Sequence, residues 1–274
     1  MSRTKVLLTV ITYPLPSRSY DELVCTAGML EDGSWIRIYP VPLNFLRGLR
    51  KDGMTKSFKY TWIELELSKR EDDFRPESHS PVNYDFSDIT VGDRIDTRSN
   101  WFQRKEICLN NVWTDLAALI ESSKNPTNTS LAVFKPHRIT KLEWKETDRE
   151  WKDTWKDLRL QGSLFDDVNP EITIDKLPYT FYYHFEDENG KSSRMMIEDW
   201  EIGQLYWNCL RIANGDEEKA LEKVKEKYFN TFTTKNDIHL FLGTTKEYHR
   251  RRMNNPFVII GVFYPKIEDQ MSLF

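Results

Sequence analysis

Residues 60–68 read YTWIELELS. Apolar and polar side chains alternate, with Trp62, Glu64 and Glu66 on one face and Ile63, Leu65 and Leu67 on the other, the period-two pattern of a strand with one buried face. Upstream, residues 5–13, 22–30 and 34–39 read as further short strands, and Asp32-Gly33 in LEDGSW marks a tight turn between the second and third. Short strands with tight connections predict an antiparallel N-terminal sheet or a small β-barrel.

Downstream the periodicity changes. WFQRKEICLN (101–110) and WTDLAALIESS (113–123) are helical, the second with Thr114 and Asp115 near its start. NPTNTS (125–130) is the clearest break in the chain. A strand SLAVFKPHRITKLEW (130–144) follows, then a Trp- and Lys-rich helix DREWKDTWKDLRL (148–160) and the loop QGSLFDDVNPEI (161–172). PYTFYYHFEDENGKSSRMMI (178–197) is a hairpin turning at Asn189-Gly190. It leads into the helix EDWEIGQLYWNCLRIA and then DEEKALEKVKEKYFNTF, whose acids precede its lysines as the helix dipole favours. Strand IHLFLG, a basic turn or helix TTKEYHRRRMN and strand PFVIIGVFYP complete the pattern. Strands and helices mix without a βαβ period, so the class is α+β. The expected domains are β-rich 1–124, α+β 131–267 and a tail, 268–274.

Composition narrows the function. With 39% hydrophobic and 30% charged residues, 274 residues suffice for one large domain or two smaller ones. Cys25, Cys108 and Cys209 are far apart and never in CxxC spacing. Neither a disulfide framework nor a structural zinc site is indicated, and a reducing, cytoplasmic setting fits. The opening MSRTKVLLTVITYPLPS alternates with Thr and ends in a Pro turn, as a strand does and an export signal does not. No apolar run nears the roughly 18 residues of a membrane span. A net charge of −4 argues against coating nucleic acid by bulk positive charge but allows a local basic groove. The aromatic content, 13% with nine Trp, suits a core and also stacking platforms for bases.

Several constellations carry chemistry. Glu143-Trp144-Lys145 is an E-x-K pattern, by which a strand can present a carboxylate and a lysine to one Mg²⁺ or Mn²⁺ ion and its water in a nuclease. His184, on a hairpin that runs into a helix, is an alternative base with the outline of a ββα-metal nuclease. The five histidines show no HExxH spacing, and no metal-ligating set is assigned. FRPESHSP (74–81) carries Arg75, Glu77 and His79 in a loop that two prolines hold extended, a form suited to a small-molecule pocket. Arg47, Arg50, Lys51, Lys56 and Lys59 make a basic loop, and Lys246 with Arg250, Arg251 and Arg252 makes the strongest positive cluster. Guanidinium groups bind phosphates through paired hydrogen bonds, so these residues are the nucleic-acid candidates.

Gln270-Met271-Ser272-Leu273-Phe274 resembles the bacterial sliding-clamp-binding pentapeptide: Gln, an aliphatic residue, Ser or Asp, Leu, Phe. The resemblance implies that Gln270 anchors by hydrogen bonds while Met271, Leu273 and Phe274 enter a groove of the clamp. QGSLF (161–165) departs from the pattern at Gly162 and reads as structure. The expectation is a bacterial protein acting on or around DNA in replication, repair or defence, its partners the clamp and DNA. A metal-dependent nuclease and a small-molecule enzyme with its pocket at RPESH are the alternatives.

Overall fold

A computed structural model describes residues 3–16, 22–42, 46, 58–151 and 175–268. The N-terminal strands are β1 (Arg3–Ile11), β2 (Leu15–Pro16), β3 (Glu22–Met29), β4 (Trp35–Pro42), β5 (Thr61–Lys69), β6 (Ser78–Pro81) and β7 (Thr90–Arg94). They run in the order β1-β3-β4-β6-β5, and β5 pairs back with β1, closing a five-stranded barrel; β2 adds to β3 and β7 to β5. The β4–β6 pairing is parallel and the other barrel pairings antiparallel, so the barrel is mixed. The alternation in YTWIELELS sets which side faces in: Ile63 and Leu65 join Val6, Leu8, Ile36 and Ile38 inside, while Trp62 lies against the outer wall. Gly28 lets β3 approach β1 at its bulge, where a Cβ would stand 2.4 Å from the Leu7 carbonyl oxygen.

The second sheet has the order β10-β11-β12-β14-β13-β9-β8. Its strands are β8 (Val112–Trp113), β9 (Leu131–Phe134), β10 (Arg138–Glu146), β11 (Tyr179–Glu186), β12 (Ser192–Ile197), β13 (His239–Thr244) and β14 (Phe257–Phe263). The helices are α1 (Arg98–Cys108), α2 (Leu116–Ser122), α3 (Trp200–Ile212), α4 (Glu217–Lys225), α5 (Phe232–Lys235) and α6 (Lys246–Arg250), with a π-helical turn Glu226–Thr231 joining α4 to α5. One face packs on α2 to α5 through Phe134, Phe181, Tyr183, Tyr206, Val224 and Phe232. The other packs on the barrel wall, where Leu7, Val10 and Met29 meet Val133, Phe241 and Ile260. The α+β class with a small barrel is thus the observed architecture.

Two sequence expectations change. SLAVFKPHRITKLEW is two strands, since Pro136 has no N–H to give a ladder, and its halves lie far apart in the sheet, β9 beside β13 and β10 at the opposite edge. The change of sheet comes at α1, ahead of 125–130, because β8 and α2 already belong to the second sheet and its core. Asp115 caps α2, accepting from the Ala117 and Ala118 amides. The Asn189-Gly190 turn is present, with Gly190 at φ 74° and Asp187 accepting the Asn189 and Lys191 amides. The Trp- and Lys-rich helix and QGSLF lie outside the described residues, apart from 148–151. Among the described residues no helix is long and apolar enough to cross a membrane.

Candidate nucleic-acid interface

The FRPESHSP loop is where the barrel is fastened to the second sheet. Asp73 and Arg75 form a paired ion bridge, Arg75 Nη2 to Asp73 Oδ2 2.6 Å and Nε to Oδ1 2.9 Å, while Arg75 Nη1 donates to the Thr244 carbonyl at 2.8 Å. Burial pushes the Asp73 carboxyl up, but the Arg75 hydrogen bonds and charge more than reverse this and hold it well below the usual carboxylate range. Glu77 accepts the Ser130 amide at 3.0 Å and its hydroxyl at 2.6 Å, and buried Arg37 donates to the same hydroxyl at 2.7 Å. Lys69 Nζ gathers the Arg75, Pro76 and Ser78 carbonyls. Arg75 and Glu77, read from sequence as pocket residues, are therefore committed to this seam: buried Arg75 requires its partners, and both Glu77 carboxylate oxygens are taken by Ser130. His79 turns Nδ1 to the Glu77 carbonyl at 2.9 Å.

The seam carries a cationic and aromatic outer surface. Thr245 caps α6, accepting the Tyr248 amide. His249 is buried, Nε2 donating to the Ser123 carbonyl at 2.5 Å and Nδ1 accepting from Thr244 Oγ1 at 3.0 Å; burial lowers its pKa. The Phe74 ring stands perpendicular to it, centroids 4.8 Å apart. Lys246 Nζ reaches Asp72 Oδ2 at 3.2 Å, Asp72 binds Arg70 at 2.8 Å, and Arg70 lies over the Tyr39 ring, 5.4 Å from its centroid. Two stretches far apart in sequence thus form one surface from Tyr39 to α6. Arg251 pairs with Glu247 at 2.7 Å. Arg250 and Arg252 are exposed and have no ion-pair partner among the described residues. Arg250 follows Lys246 by four positions, on the same side of the helix. Tyr39, Phe74, Tyr84 and Tyr248 are all exposed large apolar side chains. Sequence reading found the cations and missed Tyr39, Arg70, Phe74 and Tyr84; the available signal was a Phe set between charged residues.

The E-x-K and histidine candidates, chosen separately, prove to be neighbours on β10 and β11. His184 Nε2 donates to Glu143 Oε2 at 2.5 Å, Arg194 from β12 binds both Glu143 oxygens at 3.0 and 3.1 Å, and Lys145 Nζ lies 3.9 Å from Oε1. Arg194 also covers the Tyr182 ring at 3.5 Å. Hydrogen bonds from Arg194 and His184 hold the Glu143 carboxyl down at about 2. A carboxylate already neutralised in this way is a poor ligand for Mg²⁺ or Mn²⁺, and among the described residues no three His, Cys, Asp or Glu side chains are grouped to hold a metal ion.

Lys59, assigned from sequence to the basic loop, is instead buried, 3.4 Å from Asp199 and 3.2 Å from Glu201. Burial works against its charge, and the two carboxylates outweigh that and raise its pKa. Arg47, Arg50, Lys51 and Lys56 lie outside the described residues, as do Gln270, Met271, Leu273 and Phe274. A separate open cleft of about 660 Å³ lies between the barrel and α1, lined by Lys5, Trp62, Arg94, Gln103 and Glu106 among others.

Comparison with known proteins gives little beyond the family. No curated protein matches the chain. A murine DNA-binding protein solved with double-stranded DNA aligns over 98% of this chain and 97% of its own at 10% identity and a TM-score of 0.30. The tetrameric p202 HIN2 structure aligns over 97% and 92% at 7% identity and a TM-score of 0.31. Scores of that size are below those of chains sharing a fold. The sequence profile of a domain of unknown function, DUF8758, matches residues 2–110, the barrel and α1. A second profile, the domain of unknown function DUF8757, matches residues 113–274, more than half of the sequence, and the chain belongs to that family.

Proposed function

We propose that this is a DNA-associated protein, recruited through Gln270, Met271, Leu273 and Phe274 to the bacterial sliding clamp, in replication, repair or defence against foreign DNA. The observation that carries the DNA reading is the surface just described: Arg250 and Arg252, without ion-pair partners among the described residues, near Lys246, with exposed Tyr39, Phe74 and Tyr248, on a buried seam. Cations serve phosphates and flat rings serve bases, and the two kinds of group are here side by side. The clamp reading rests on the match of residues 270–274 to the pentapeptide.

Glu268, held by Lys105 at 2.6 Å and by Asn100 at 3.0 Å, lies near the His239 end of β13, where Lys266 pairs with Asn236. α6 follows the Thr244 end of that strand. Six residues of strand span roughly 20 Å, which separates the end of the described chain at Glu268 from the α6 surface. Tethering beside DNA offsets modest intrinsic affinity, which suits a chain of net charge −4.

Immobilised bacterial clamp is expected to capture the full chain and to lose it with Leu273→Ala/Phe274→Ala, while DNA binding in solution is unchanged. Capture that persists in the double variant contradicts the recruitment mode and leaves the DNA surface standing.

A further inference from the structure

We propose that Phe74 is a base-stacking residue, so that the DNA recognised at the α6 surface contains unpaired bases; this rests on the DNA reading above and specifies its substrate. Phe74 is 44% exposed, while its neighbours Asp73 and Arg75 are 5% and 7% exposed. The chain therefore turns both flanking charges inward and the phenyl ring outward. On stability grounds the arrangement is inverted: burying a phenylalanine favours folding and burying an ion pair gains little over apolar residues.

The ring is also held in place. Arg75 ties its own carboxylate neighbour and the Thr244 carbonyl, Lys69 gathers the loop carbonyls, and the ring packs at right angles to His249, itself fixed between Ser123 and Thr244. A planar group fixed before binding loses little entropy when a base stacks on it. Phosphate-binding cations flank it, Lys246 on Asp72 and Arg250 on the same side of α6. On the barrel side exposed Tyr39 lies under Arg70, whose guanidinium carbon is 5.4 Å from the ring centroid. An intact duplex hides the faces of its bases and would use only the cations; a single strand, gap or flipped base uses both.

The test measures the affinity of the full chain for a labelled single-stranded oligonucleotide and for the duplex of the same sequence, by fluorescence anisotropy. The wild-type chain is expected to favour the single strand. Phe74→Ala should weaken single-strand binding about tenfold and leave duplex binding within about twofold, and Phe74→Trp should restore the single-strand preference. Phe74→Ala that leaves single-strand binding intact, or weakens both forms equally, overturns this inference while the DNA reading stands. Binding to neither form by the wild-type chain overturns both.

Discussion

The RPES seam and the Glu143 cluster both came from short sequence motifs, and both proved to be ionic networks, yet they use their charges in opposite ways. In the seam, Asp73, Arg75 and Arg37 are buried and Glu77 half-buried, and they are spent on one another, on Ser130 and on backbone groups, so that rings and arginines with no ion-pair partner among the described residues project outward. On the outer face of β10–β12, Glu143, His184 and Arg194 are partly exposed and neutralise one another, and Arg194 covers the aromatic ring beside them. Binding capacity is what a cluster leaves unsatisfied. By that measure the seam surface has cations and rings to offer, and the Glu143 cluster is closed.

The largest expected effect separates the two networks by stability. Arg75→Ala strands the buried Asp73 carboxylate and loosens the barrel from the second sheet, costing about 3–5 kcal/mol in chemical denaturation. Arg194→Ala in the exposed cluster should leave the transition nearly unmoved, because exposed pairs contribute little. Equal losses for the two variants would erase the distinction.

The next effect uses pH. His239 is buried against Phe263, its Nδ1 making no hydrogen bond among the described residues and lying 4.0 Å from the Asp237 carboxylate, and burial lowers its pKa to about 4. The unfolded chain takes up that proton first, near pH 6.5, so its contribution to stability is lost as pH falls from about 6.5 toward 4, by roughly 3 kcal/mol. Asp199 works in the opposite sense, burial having raised its carboxyl above the usual carboxylate range despite Lys59, so that the folded state takes up this proton first. The difference between wild type and His239→Gln therefore isolates the histidine: the variant should lose less stability than wild type between pH 6.5 and 4. Parallel curves would contradict the assignment.

How far the sequence foretold all this follows from the range of the interactions involved. YTWIELELS gave its inward face directly, and Asn189-Gly190 its turn, because both are local. Barrel closure depends on β1 pairing with β5 and on parallel β4–β6 contacts such as Arg37 with Ser78, which no local pattern encodes. The same holds for the site. Arg250 to Arg252 stand out as a charged run, but nothing in FRPESHSP reveals that Arg75 reaches a carbonyl 169 positions away or that Glu77 reaches Ser130. Without those partners the loop reads as a pocket of free polar groups, and Phe74 carries no signal of its own. Lys59 misled for the same reason, since its carboxylate partners lie 140 and 142 positions along the chain.

The central claim is that the surface at α6 holds DNA through cations the fold leaves unpaired. The salt dependence of DNA binding tests it most directly, measured for wild type and for Arg250→Ala/Arg252→Ala with folding checked by thermal denaturation. The account predicts an unchanged melting transition, weaker binding at every salt concentration, and a slope of log affinity against log salt reduced by about 2. An unchanged affinity and slope in the folded double variant would contradict it.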